Sequence, residues 1–222
     1  MSLTTRAGGR TAAAFLALFI VVGLGVSGCQ TAPSRTPLAQ DNFLSIRQAA
    51  SLEGIKRAGF DVDDTLLFST GAFRVGFESG HEYGSDEFWS LVNSSDKGNS
   101  VVKEAARAVV DEYRMRGIEI FAITARPPVG GSGLAGFLNE TLGIPENNVF
   151  FEPTTKIARI RETRLDVFFG DSDSDIEDAM QAGVRAIRFQ RSSNSSYKNK
   201  DGSLRKYHPG IYGEEIIRGS ED

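Results

Sequence analysis

Short apolar runs alternate along this chain with stretches whose apolar residues recur at helical spacing. The first run approaches Asp61 through Ala58, Gly59 and Phe60. The others are Ile118 to Ile123 (broken by Glu119), Val149 to Phe151, Leu165 to Phe169 and Val184 to Phe189, the last regular strand expected. Brief runs of this kind suit strands buried on both faces of a parallel sheet. Between them, Val102, Ala106, Val109, Val110 and Tyr113 define a helix over 101–116 with Gly117 as its stop. Leu134, Phe137, Leu138 and Leu142 define another, closed by Gly143, and Thr154-Thr155-Lys156 leads into a small one. Ser174 and Glu177 have the spacing of a capping box for a helix that stops at Gly183. Ahead of these, Asn42 is placed to cap a helix carrying Phe43, Leu44, Ile46 and Ala50.

This alternation predicts an α/β fold, an open and mostly parallel sheet with helices on both faces. Right-handed crossovers bring the C-terminal ends of the strands to one edge, where ligands bind in such sheets. Asp61, Asp63, Thr124, Lys156, Asp171 and Asp175 all fall at that edge. Two stretches depart from the pattern. Residues 71–98 read as irregular, rich in Gly and Ser, and carry Phe73, Phe77, Tyr83, Phe88 and Trp89; they are expected to cover the site as a small aromatic cap. The tail from Arg191 is polar until Ile211, Tyr212, Ile216 and Ile217, and reads as an arm on the body or on another subunit.

The length of 222 residues allows one domain with extensions, and 40% hydrophobic residues supply a core. A net charge of −4 argues against a basic groove for nucleic-acid polymers. At the N-terminus, Arg6 and Arg10 precede an apolar run from Ala12 to Val26. It is shorter than the ~20 residues of a spanning helix and suits an export signal. Val26-Ser27-Gly28-Cys29 resembles the lipobox of bacterial lipoproteins, and Cys29 is the only cysteine in the chain. The expected organisation is therefore a signal peptide at 1–28, a polar tether at 29–41 and a folded domain at 42–222. Cleavage would leave Cys29 lipidated, giving an exported periplasmic or cell-envelope lipoprotein attached to membrane. An uncleaved anchor, or a simple signal peptide with an idle cysteine, is the competing reading.

Candidate chemistry begins at Asp61, Asp63 and Asp64. On a strand, Asp61 and Asp63 share a face, and carboxylates so close repel unless a cation or a shared proton compensates. An acidic turn is the plain alternative. A calcium loop begun at Asp61 fails, because Leu66 and Ala72 stand where glycine and glutamate are required. A loop begun at Asp171 fails the same way at Ile176 and Ala182. Against the turn stands the downstream set, whose order suits phosphoryl transfer through an aspartyl intermediate. A unit-charge pair at 4 Å costs ~1 kcal/mol in water and about 4 kcal/mol at an effective dielectric of 20, so a phosphate dianion meeting a carboxylate needs cations. A hard divalent ion suits Asp61, Asp171 and a backbone carbonyl. Lys156 adds a second positive charge, Thr124 and the Ala125 N–H can hold phosphate oxygens, and Asp63 is left to move protons.

Phe60-Asp61-Val62-Asp63-Asp64-Thr65, the Thr124 strand end, Thr155-Lys156 and Gly170-Asp171-Ser172-Asp173-Ser174-Asp175 resemble, in order, the four motifs of the haloacid dehalogenase (HAD) superfamily. Within it, Phe-Asp-Val-Asp-Asp-Thr-Leu-Leu-Phe-Ser and Phe-Gly-Asp-Ser-Asp-Ser-Asp-Ile resemble the signature of bacterial class B acid phosphatases, over roughly residues 55–218. The resemblance implies Asp61 as nucleophile and Asp63 as general acid and base. It implies Mg2+ on the Asp61 carboxylate, the Asp63 carbonyl and Asp171, with Asp175 supporting bound water. Thr124, Ala125 and Lys156 would contact phosphate with Arg126 nearby, and Phe73, Trp89 and Tyr197 would form an aromatic pocket for the leaving group. It further implies diverse phosphomonoester substrates including nucleotides, some phosphotransfer to alcohols, and a periplasmic homotetramer. The chain departs from the family pattern in having Ala125 where glycine is usual, Arg74 where an aromatic is usual, and Cys29.

The expected function is thus magnesium-dependent hydrolysis of phosphate monoesters. Its rivals are a phosphotransferase on the same site and a surface lipoprotein that binds a phosphorylated ligand without turnover. Asp63 speaks against the second, since binding needs no proton shuttle.

Overall fold

The computed structural model describes residues 42–222; the expected signal peptide, the tether and Cys29 lie outside the described residues. In chain order the first half contains β1 (Phe43–Leu44), α1 (Ile46–Ala50), β2 (Arg57–Phe60), β3 (Leu67–Phe68), α2 (Thr70–Glu78), α3 (Asp86–Asn99), β4 (Val101–Val102) and α4 (Glu104–Met115). The second contains β5 (Glu119–Thr124), α5 (Gly131–Leu142), β6 (Val149–Phe151), α6 (Ile157–Glu162), β7 (Val167–Gly170), α7 (Asp173–Ala182), β8 (Arg185–Phe189) and β9 (Glu215–Ile217). Seven strands form one parallel sheet in the order β1-β9-β8-β7-β2-β5-β6, and β3 and β4 form a separate antiparallel pair. From β2 the chain builds outward through β5 and β6, then returns to the other side of β2 as β7 and β8. Such a reversal opens a crevice at the strand ends. No helix among the described residues is long and apolar enough to cross a membrane.

Alternation along the central strands sends apolar side chains into two cores. Phe169 stacks on Phe60 with ring centroids 4.7 Å apart, in the cluster that contains Ala49 of α1, Tyr113 of α4 and Leu138 of α5. Its neighbour Phe168 joins Ile160 of α6 with Ile176 and Ala179 of α7. Helices therefore cover both faces, as the pattern of apolar runs predicts.

The structure corrects that pattern in five places. Val101 and Val102 do not begin the helix expected over 101–116: they pair antiparallel with Phe68 and Leu67, and α4 starts only at Glu104. Phe43 and Leu44 do not open a helix: they pair in parallel with Ile216 and Ile217, and α1 starts after Ser45, whose side chain accepts from Gln48 N in a capping box. The tail is not only an arm, because Glu215–Ile217 enters the sheet between β8 and β1, so Phe189 does not end the last strand. Residues 71–98 are mostly helical rather than irregular. Packing of α2 against α3 around Ala72, Phe88 and Val92 overrides the poor helix propensity of their Gly and Ser residues. Helix α7 begins earlier than expected, with Ser172 and Asp175 forming the capping box instead of Ser174 and Glu177.

Candidate active site

Asp61 leaves β2 with its N–H donating to Phe169 O at 2.8 Å, which ties it to the neighbouring strand. The chain then turns tightly, since Leu66 N and Leu67 N both donate to Val62 O, at 3.0 and 2.9 Å. Asp64 takes the left-handed conformation (φ 59°), a region that Asp tolerates better than most residues. The turn aims Asp63 and Asp64 into the crevice. Lys156 reaches it from the start of α6, while Asp171 and Asp175 come from the end of β7 and the first turn of α7. Together they line a cavity of about 460 Å³.

On one side of this cavity, carboxylate oxygens of Asp61, Asp171 and Asp175 lie within 4.8 Å of one another, and all three residues are buried. Gly170 makes the approach possible: a Cβ there would stand 2.3 Å from Asp175 Cβ. Lys156 Nζ donates to Asp61 Oδ1, and to Asp175 Oδ1 at 2.7 Å. Arg191 Nε donates to Asp171 Oδ2. Two cations do not neutralise this cluster. Burial, then repulsion from Asp175, holds the Asp61 carboxyl well above its ordinary range despite Lys156. Burial pushes Asp171 up to about 7, with Asp64 and Asp175 adding to it and Arg191 opposing. Three converging hard oxygens with surplus negative charge are the donor set of a divalent cation, so the residues present fit one.

The other side is built differently. Arg126, buried after β5, donates from Nη2 to Asp63 Oδ1 at 2.6 Å and from Nε to Asp63 Oδ2 at 3.0 Å. Ser69 Oγ donates to the same carboxylate. Burial pushes Asp63 up, but the charge and hydrogen bonds of Arg126 outweigh it and hold the carboxyl below its ordinary value.

Most of the expected site residues meet here, though not always in the expected posture. Phe73, Trp89 and Tyr197 line the cavity, joined by Phe77 and Tyr83, which stack with centroids 5.8 Å apart. Ala125 is exposed on the wall. Thr124 stands behind the wall instead: it is fully buried, does not line the cavity, and its Oγ1 accepts from Arg126 N at 3.1 Å. The Arg126 guanidinium, expected near phosphate, is engaged by carboxylates. Asp63 enters the metal group through no carboxylate oxygen. Arg74 is exposed and off the wall. Sequence reasoning missed Arg191, although its place just beyond β8, at the ligand edge, was a usable signal. It also missed Asn93 and Asp96 of α3, which lie in the stretch that reads as irregular.

No protein-family model matches the chain. Curated relatives do. The class B acid phosphatase of Salmonella typhimurium is 34% identical over 177 residues, 73% of this chain and 72% of its own. That of Edwardsiella ictaluri is 35% identical over 197 residues (81% and 79%), and that of Rahnella sp. is 31% identical over 240 aligned residues (96% and 99%). Among solved structures, CbbY from Rhodobacter sphaeroides in complex with phosphate superposes with a TM-score of 0.52 at 16% identity, covering 75% of this chain and 94% of its own. A putative phosphatase from Clostridium difficile gives 0.51 at 12% identity, covering 75% and 95%. At such identities the solved structures speak for the fold alone.

Sheet order, motif order and relatives agree on a phosphomonoesterase with the haloacid dehalogenase fold. More narrowly, the chain belongs to the class B acid phosphatase family.

Proposed function

We propose that this phosphatase works through an aspartyl-phosphate intermediate on Asp61, with Mg2+ and with Asp63 as the proton shuttle. The observation that carries this reading is the opposed treatment of two aspartates on one strand exit: Asp61 packed among carboxylates, Asp63 clasped by an arginine. Asp61, Asp171 and Asp175 would hold the cation, which when bound supplies positive charge against the phosphate dianion. Lys156 aligns the Asp61 carboxylate and adds its own charge beside the incoming phosphoryl group. An Asp61 oxygen attacks phosphorus as the ester P–O bond breaks, and Asp63 gives its proton to the departing alkoxide. Asp63, now ionised, takes a proton from water, whose oxygen attacks the aspartyl phosphorus. The acyl-phosphate P–O bond breaks, freeing inorganic phosphate and Asp61. A carboxyl held below its ordinary value carries little proton at neutral pH, so the first step is favoured in acid.

The aromatic wall of Phe73, Trp89 and Tyr197 supports a broad range of leaving groups, nucleosides among them. Residues 71–98 would act as the cap. Attachment through a lipid on Cys29 and export to the periplasm or cell envelope are supported by the N-terminal sequence, and assembly as a homotetramer by family resemblance. Replacing Cys29 with Ser should move the protein from the membrane to the soluble fraction, and light scattering should report four copies. The catalytic reading is tested by assaying the full chain on a chromogenic phosphate ester with Mg2+ and with chelator, beside Asp61→Asn. Turnover that needs the metal and vanishes in the variant supports it; turnover that persists in chelator or in Asp61→Asn contradicts it.

A further inference from the structure

Arg126 has two working edges, and only one faces the cavity. Its Nε and Nη2 hold Asp63. Its Nη1 donates to Asp96 Oδ2 at 2.6 Å and to Asn93 Oδ1 at 3.2 Å, and Nη2 also reaches Asp96 Oδ1 at 3.2 Å. Asp96 and Asn93 are fully buried on α3 and do not line the cavity. Asn93 is a clamp with two ends, because its amide also donates to Pro127 O and Val129 O at 3.0 and 2.7 Å, in the loop that follows Arg126. The backbones are close enough for this because Gly133 of α5 abuts α3: a Cβ there would meet Asn93 O at 2.8 Å. Ser100 Oγ, from the end of α3, donates to Asp96 Oδ1 at 2.5 Å.

We infer that Asp96 and Asn93 are positioning residues: by fixing the Arg126 guanidinium they fix the direction in which Asp63 presents its proton to the leaving group. The charge count favours this over a plain folding role. Asp63 alone would neutralise Arg126, so a second buried carboxylate is not needed for that purpose. A planar guanidinium gripped at one edge, however, becomes a rigid template for the carboxylate at its other edge. Misplacing a proton donor by about 1 Å can cost on the order of 100-fold in rate. Trp89 lies on the same helix and Phe73 packs under the guanidinium, 5.2 Å from its centre, so α3 links the wall that meets the leaving group to the acid that protonates it. The inference rests on Asp63 being the general acid.

The test is the dependence of kcat/KM on leaving-group basicity, measured with the full chain on phosphate monoesters from simple alkyl alcohols to dinitrophenol. A leaving group as acidic as dinitrophenol needs no proton. Asp96→Asn keeps the shape and removes the charge. It is expected to slow alkyl esters on the order of 10- to 100-fold. Dinitrophenyl phosphate should slow no more than about threefold and KM should be little changed, since proton donation to this leaving group contributes little. Asp63→Asn should steepen the same dependence, and adding Asp96→Asn to it should steepen it no further. If Asp96→Asn does not fold, Arg126→Lys, which keeps the charge but cannot bridge two carboxylates, should steepen it as well. Equal slowing of all esters by Asp96→Asn, or by Arg126→Lys in its place, while Asp63→Asn steepens the dependence, would overturn the positioning role alone. An unchanged dependence in Asp63→Asn would overturn the general-acid assignment and the inference with it.

Discussion

Asp61 and Asp63 stand two positions apart at the end of one strand, and each shares a buried cation with a second buried aspartate. Lys156 joins Asp61 to Asp175; Arg126 joins Asp63 to Asp96. The outcomes are opposite, with Asp61 held above its ordinary range and Asp63 below. Two differences explain this. Asp175 and Asp171 both repel the Asp61 carboxylate, whereas the strongest charge acting on Asp63 is the attraction of Arg126. Lysine also offers one point of charge, whereas arginine grips Asp63 with two N–H groups in a fork. One environment leaves negative charge for a cation to satisfy, and the other is already satisfied and orients a proton carrier. Roles on one strand exit are thus divided by surroundings rather than by residue type.

Breaking the Asp61 side should have the largest effect. Asp61→Asn is expected to lower kcat on the order of 10⁴- to 10⁶-fold, as loss of a nucleophile does. A variant within tenfold of wild type in a steady-state assay would refute that role. On the other side, Asp63→Asn should cost on the order of 10²- to 10⁴-fold on alkyl esters and much less on nitrophenyl esters; equal losses on both would show that it carries no proton to the leaving group. Trp89→Ala touches neither carboxylate. It should raise KM for aryl and nucleoside phosphates about two- to tenfold, while leaving small alkyl phosphates nearly unchanged.

The smallest effect sharpens the contrast through stability. With chelator present, folded Asp171 keeps its proton up to about pH 7, while the unfolded chain releases it near 3.8. Across that window the folded state binds more protons, so this group's contribution to stability is greatest in acid and is lost as pH rises towards 7. The Tm of wild type minus that of Asp171→Asn should therefore fall over this range, by a few degrees. Mg2+, which competes with the proton, should flatten the fall. A difference that stays constant with pH would refute the crowded-carboxylate account.

The sequence was most legible where local chemistry decides structure. Strands β2, β5 and β7 must be apolar on both faces, so their runs stand out, and right-handed crossovers put the polar residues at their C-terminal ends on one edge. It was least legible where distant residues decide. Phe43 and Leu44 form a strand only because Ile216 and Ile217 arrive beside them, a pairing that no local periodicity encodes. The α2 and α3 helices contain Gly and Ser that read as loop, and their packing overrides that propensity. The same holds within the site. Motif order assigns Asp61, Lys156, Asp171 and Asp175 to one edge, and they line one cavity, but the hold of Asp96 on Arg126 spans 30 positions and depends on two helices touching. Thr124 shows the remaining gap: its place at a strand end was correct, yet the turn of the loop puts it behind the wall.

A covalent intermediate on Asp61 leaves its mark on the stereochemistry of phosphoryl transfer. An isotopically chiral phosphorothioate ester would be hydrolysed by the full chain in labelled water, and the configuration of the product determined. Two successive in-line displacements, the first by Asp61 and the second by water, invert phosphorus twice and should give overall retention. Overall inversion would mean that water attacks the ester directly, and Asp61 would then be a ligand or a base and not the nucleophile.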